Sequence, residues 1–116
     1  LEASRNWIIN QNYFFEKEKL NFLKTHNSMK LFEGNKFTTK DQTIGAVYIY
    51  RDPRNIITSL KNHYSMNYQN AFNFMTDDKS FIIQDSYDND KSNFTYLGSW
   101  ESHYKSWFSI KDFRIM

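Results

Sequence analysis

Ala46-Val47-Tyr48-Ile49-Tyr50-Arg51-Asp52-Pro53-Arg54-Asn55-Ile56-Ile57-Thr58-Ser59-Leu60-Lys61-Asn62-His63-Tyr64 reads as a buried strand that runs through a charged turn into a helix. Residues 46–50 are a continuous apolar run, the pattern of a parallel strand covered on both faces. Asp52 suits the N-cap, and Pro53 suits the first helical position, where its missing N–H costs nothing. Beyond the turn Ile56, Leu60 and Tyr64 recur at helical spacing with Ile57 alongside, while Asn55, Ser59 and Asn62 take another face. A turn of this kind is a phosphate site. Arg51 leaves the strand where the helix begins, so its guanidinium can make paired charge-assisted bonds to an anion near the helix's positive end. Ser59, about two turns into the helix, can donate its hydroxyl to the same anion. The spacing alone leaves another reading open, in which Arg51 pairs with Asp52 or another carboxylate and Ser59 is an ordinary surface residue.

Working outward, residues 3–15 have a loose helical pattern with Trp7, Ile8 and Tyr13-Phe14-Phe15 as buried positions. Leu20-Asn21-Phe22-Leu23 has the short alternating signature of a strand and leads into Lys24-Thr25-His26. Residues 27–44 are polar, with Met29, Leu31, Phe32 and Phe37 as isolated anchors, and read as a loop or short helix over the sheet. A second helix is predicted over residues 68–75, with residues 81–83 continuing it after Asp77-Asp78, and residues 85–93 form a polar linker. Trp100, Tyr104, Trp107 and Phe108 then repeat on one helical face with Glu101 set to pair with Lys105, and both tryptophans are expected to pack on the sheet. Phe113-Arg114-Ile115-Met116 is the third predicted strand. This alternation argues for an α/β chain with a parallel sheet, in which ligands bind beyond the carboxyl ends of the strands. Lys24-Thr25-His26 and the Arg51 turn both lie there.

The 116 residues fall in the range of one domain, residues 1–116. The chain begins at Leu1 without an initiator methionine and stops on an alternating apolar run, so a fragment is expected. Fifteen basic and 13 acidic residues are mixed along it for a net +2, with no basic stripe of the sort nucleic acid requires. No cysteine is present, which removes disulfides and thiolate metal sites and fits a reducing compartment, here taken as cytoplasmic. No run approaches the ~20 apolar residues that span a bilayer. Eleven Phe, eight Tyr and three Trp are first of all core and pocket walls. His63 and His103 lack carboxylate or thiolate neighbours at ligand spacing, so no metal is expected.

Tyr50-Arg51-Asp52-Pro53-Arg54-Asn55-Ile56-Ile57-Thr58-Ser59 resembles the motif with which sulfotransferases hold the 3′-phosphate of their co-substrate, 3′-phosphoadenosine 5′-phosphosulfate. Lys24-Thr25-His26 is similar to that family's Lys-Thr-His segment, although Asn27-Ser28 stands where Leu-Pro often follows. Gly98-Ser99-Trp100, with His103 and Trp107, is similar to the helix that follows the arginine motif. The resemblance runs in the family's order from Leu20 to Met116. It implies a P-loop-kinase-like sulfotransferase fold, here a partial three-layer parallel sheet with flanking helices. The family's glycine-rich loop with its lysine and its carboxyl-terminal Arg-Lys-Gly segment do not occur in the chain.

The resemblance implies that Arg51 and Ser59 bind the donor nucleotide, that His26 is the catalytic base and that Lys24 stabilises charge on the transferring or leaving oxygens. A histidine with an ordinary pKa near 6.5 is suited to take a proton from an acceptor hydroxyl. The implied reaction is in-line transfer of a sulfonyl group to a hydroxyl or amine, governed by positioning and charge stabilisation as in phosphoryl transfer. This partial domain by itself is expected to turn over slowly or not at all. Small-molecule, lipid, glycan and peptide acceptors all stay open. A non-catalytic nucleotide- or anion-binding domain on the same scaffold is the alternative. An RNA-binding module with interleaved Lys and aromatics is a third reading, opposed by the balanced charge.

Overall fold

A computed structural model describes residues 2–15, 20–84 and 93–116. In chain order the elements are α1 (Glu2–Phe15), β1 (Gly45–Ala46), α2 (Pro53–His63), α3 (Tyr68–Thr76), β2 (Phe81–Gln84), β3 (Asn93–Tyr96), α4 (Trp100–Phe108) and β4 (Arg114–Ile115). The protein is a mixed α/β chain. β1 and β4 pair in parallel with Gly45 opposite Arg114 and Ala46 opposite Ile115. The ladder runs on past the two strands, because Met116 N–H donates to Ala46 O at 2.9 Å and Tyr48 N–H to Met116 O at 2.8 Å. The third predicted strand is therefore present and parallel to the first segment of residues 46–50.

Three expectations are corrected. Residues 20–23 pair with no strand among the described residues, so the three-stranded sheet is replaced by two separate two-stranded ones. Apolar alternation marks a segment that can be a strand, but a strand exists only where a neighbour takes its N–H and C=O groups. Residues 46–50 are covered on one face only: Tyr48 turns inward, whereas Val47 and Ile49 are 68% and 87% exposed. Residues 81–83 do not prolong α3. That helix stops at Asp77, whose backbone is already extended, and Phe81–Gln84 forms an antiparallel hairpin with Asn93–Tyr96, Phe81 opposite Tyr96. Residues 85–92 of the expected linker lie outside the described residues, while Asn93 belongs to β3.

Two aromatic clusters supply the packing. Trp7 of α1 is buried against Phe37 and Phe94, at ring separations of 5.8 and 6.2 Å, and Phe32 bridges from Phe94 to Tyr96 at 4.8 and 4.9 Å. Around Tyr48 gather Trp107, Phe108 and Tyr104 of α4, at 6.2, 5.5 and 6.1 Å. Trp107 thus packs on the residue 46–50 segment as expected. Trp100 instead stacks on Tyr104 of its own helix, with the rings 6.2 Å apart and nearly parallel. In α2, Ile56, Ile57 and Leu60 are half-buried and Asn55, Ser59 and Asn62 exposed, as the spacing predicts, whereas Tyr64, expected on the apolar face, is the C-cap residue and exposed.

Candidate functional site

The first half of the site is built from α4. Gly98 adopts φ +68°, and a Cβ there would meet Ser102 Oγ at 2.8 Å, so the turn into the helix requires glycine. Ser99 caps the helix by accepting from Ser102 N–H, and Lys105 pairs with Glu101 one turn away on the exposed side. The opposite face carries His103, Ser106 and Trp107 at i, i+3 and i+4, and each bonds a backbone atom of residues 26–29. Trp107 Nε1–H donates to Asn27 O at 3.0 Å, Met29 N–H donates to Ser106 Oγ at 3.0 Å, and His103 Nε2 lies 3.0 Å from His26 O.

From the other side β3 holds the same residues. Ser28 N–H donates to Tyr96 O at 2.7 Å, and the Asn27 side-chain oxygen accepts from Tyr96 N–H at 2.9 Å. Asn27 and Ser28 are buried despite their polarity: the Asn27 backbone and amide and the Ser28 N–H find partners, whereas the buried Ser28 hydroxyl has none among the described residues. Asn27 N–H also donates to Thr25 Oγ1 at 3.0 Å, closing the turn after Lys24. The side chains of Lys24 and His26 remain in solvent.

The tautomer of His103 follows from its neighbours. A carbonyl only accepts, so Nε2 carries the proton toward His26 O, and Nδ1 accepts from Tyr48 O–H at 2.7 Å. Burial pushes His103 toward its neutral form, with the nearby His26 imidazole adding to this against the opposing carbonyl bond. Tyr48 is pushed up to about 12, first by burial and then by Tyr104, which keeps its hydroxyl proton in place as donor.

The second half is the turn at residue 51. Asp52 caps α2, accepting from Arg54 N–H at 2.9 Å, and the Arg54 guanidinium closes on the same carboxylate. These Arg54 bonds lower the Asp52 carboxyl to about 2. Asp52 O accepts from Asn55 and Ile56 N–H at 3.0 and 3.2 Å. Asp52 is thereby occupied by Arg54. Among the described residues Arg51 has no ion-pair or hydrogen-bond partner, so the pairing with Asp52 that its spacing left open is not the one formed. Ser59 is exposed on the same face of α2 as Asn55.

Among the described residues no hydrogen bond or ion pair directly joins Lys24, His26, Arg51 and Ser59. What links their segments is α4, which bonds residues 26–29 and packs against Tyr48 and Tyr50, the latter 5.7 Å from Tyr104. From the sequence Trp107 is a packing residue, His103 belongs to the family-like helix and is no metal ligand, and Asn27 departs from the family segment; none of His103, Ser106, Asn27 and Tyr48 is given the contacts seen here. The available signal was the i, i+3, i+4 spacing of a histidine, a serine and a tryptophan on one helix face. A cavity of about 390 Å³, lined by Met29, Lys36, Thr38, Ser106, Lys111 and Phe113 among others, lies where the chain enters β1 and β4. That is the amino-terminal end of the parallel pair, away from Arg51. No group of three or more metal-ligating side chains occurs among the described residues, and no helix there is long and apolar enough to cross a membrane.

A family model described as "Sulfotransferase domain" matches residues 9–115. No curated protein and no solved structure matches the chain.

Proposed function

We propose that this chain, which belongs to the sulfotransferase domain family, serves an enzyme that moves a sulfonyl group from 3′-phosphoadenosine 5′-phosphosulfate to a hydroxyl or amine acceptor. The observation that carries the reading is the Arg51 guanidinium, without a partner among the described residues, at the turn into α2 beside Arg54, whose guanidinium is held by Asp52. A cation left without a carboxylate partner among the described residues, just before the start of a helix, fits a phosphate group. Arg51 and Ser59 hold the nucleotide in this reading, Lys24 faces the charge that builds on the transferring oxygens, and His26 takes the acceptor's proton. The donor supplies the activated sulfonyl group; the chain supplies position and charge. A non-catalytic nucleotide-binding domain would keep Arg51 and Ser59 in the same role without using His26.

The test is a calorimetric titration of the complete protein with adenosine 3′,5′-bisphosphate, followed by donor-dependent transfer to a panel of alcohols, phenols, amines and glycans. Micromolar binding that Arg51→Ala weakens supports the donor site. Transfer lost by about 10²–10⁴ in His26→Ala supports the base. Unaltered bisphosphate affinity in Arg51→Ala removes Arg51 from the site. Binding without transfer to any acceptor favours the non-catalytic domain.

A further inference from the structure

We propose that His103 is a positioning residue: its imidazole bridges the carbonyl of His26 to the hydroxyl of Tyr48, and so fixes the catalytic histidine relative to the segment that carries Arg51. The inference rests on the sulfonyl-transfer reading and adds to it the residue that sets the spacing between base and anion grip.

Three observations lead to it. Tyr48 lies three residues before Arg51 on one continuous extended segment, so anchoring Tyr48 anchors the root of the arginine. Among the described residues no backbone–backbone hydrogen bond joins residues 22–26 to residues 46–50, and therefore side chains must set their register. The rigid ring of His103 makes one bond to each segment, at 3.0 Å to His26 O and 2.7 Å to Tyr48 O–H. Trp107 reinforces the bridge by packing on Tyr48 while donating to Asn27 O.

The bridge also has a fixed direction. Tyr48 donates to Nδ1 and Nε2–H donates to the carbonyl; the carbonyl bond cannot reverse, and the Tyr48 bond can reverse only if the ring gains a second proton or gives up its bond to the carbonyl. The titratable and charged groups around the ring are Tyr48 from the residue 46–50 segment and His26 from the segment it holds. On its own helix are Tyr104 and the Glu101–Lys105 pair, which is engaged with itself on the exposed side. Among the described residues no acidic residue or lysine bonds the imidazole, and the neutral tautomer is the one these surroundings favour. A base that must meet an acceptor hydroxyl within hydrogen-bond reach depends on such backbone placement, because small displacements in reacting geometry carry large rate losses.

The experiment uses the complete protein and reads donor hydrolysis to adenosine 3′,5′-bisphosphate and sulfate, with water as the acceptor, alongside bisphosphate affinity. His103→Leu is expected to slow hydrolysis by about tenfold or more while bisphosphate affinity is kept. His103→Gln, which retains an N–H for the His26 carbonyl, is expected to restore most of the rate. Tyr48→Phe removes the other bond and is expected to give a partial loss, which also covers the case where His103→Leu folds poorly. Imidazole nitrogen NMR of the unmutated protein should show a protonated Nε2 and a bare Nδ1 that responds to Tyr48→Phe. Equal losses in the Leu and Gln variants, rates that ignore both His103 and Tyr48, or a doubly protonated ring at neutral pH each overturn the role. Absence of bisphosphate binding by the unmutated protein overturns the donor reading itself, whereas binding with a rate indifferent to His103 overturns only the positioning.

Discussion

At residues 26–29 the backbone is gripped by α4 from one side and β3 from the other, and the side chains of Lys24 and His26 stand in solvent. At residues 51–59 the bonds are local to one turn; Arg51 lies just before, and Ser59 projects from, a helix with no buried residue. The first region is preset and the second is left adjustable. The difference matches what each is proposed to do. Proton transfer tolerates little error in the placement of the base. A long arginine reaches an anion from a range of backbone positions, and its own freedom is restricted only when the ligand arrives.

Removing the grip on the first region should give the largest effect. Trp107→Ala deletes a buried ring and a donor to Asn27 O, and a loss of about 3–5 kcal/mol in urea unfolding is expected for truncation of a buried tryptophan. A loss below that of a half-buried control such as Trp100→Ala would show that residues 26–29 are held mainly by β3.

The second region should respond in binding and not in folding. Arg51→Ala is expected to weaken adenosine 3′,5′-bisphosphate by roughly 1.5–3 kcal/mol with an unchanged melting temperature. Arg54→Ala serves as its partner measurement. Because Arg54 is committed to Asp52, its removal should cost less affinity than that of Arg51, and the reverse order would exchange their roles.

A smaller effect is expected from Asp52→Ala, which takes away the cap of α2 and releases Arg54. Amide exchange at Asn55 and Ile56 should speed up, since their acceptor is the Asp52 carbonyl whose conformation the cap maintains. Unchanged exchange would mean that Pro53 alone starts the helix.

The smallest is a pH response. Asp52 is depressed in the folded chain, from 3.8 to about 2, by its bonds from Arg54. A lowered carboxyl contributes its full stabilisation above the ordinary value and loses it as pH falls toward the folded one. Fraying of α2 in acid should therefore set in between those two values, read from the Arg54 amide shift. His103 titrates in a separate window: burial lowers it, so its contribution is complete above 6.5 and declines as pH falls below that. A single transition shared by both regions would contradict their independence.

Much of the second region was legible in the residues themselves. Asp52 and Pro53 announce the start of α2, and the spacing of Ile56, Leu60 and Ser59 announces its two faces. These are one-turn effects of capping and periodicity. The parallel strand at Arg114–Ile115 was also legible from its alternation. The hairpin was not, because pairing Phe81 with Tyr96 joins segments whose connecting residues read only as polar chain. Residues 20–23 show the converse: a strand pattern without a neighbour among the described residues to complete it.

The sequence by itself determined the caps, the helix faces, the aromatic load and the motif order that identify the family, since each depends on residues within a few positions of one another. The choice of Arg54 over Arg51 by Asp52 is local but is seen only in the folded turn, and only the tertiary structure decided that His103 reaches both His26 and Tyr48. Those outcomes turn on which of several competent donors lies nearest to a given acceptor. Contacts spanning 55 and 77 residues carry no periodic trace along the chain.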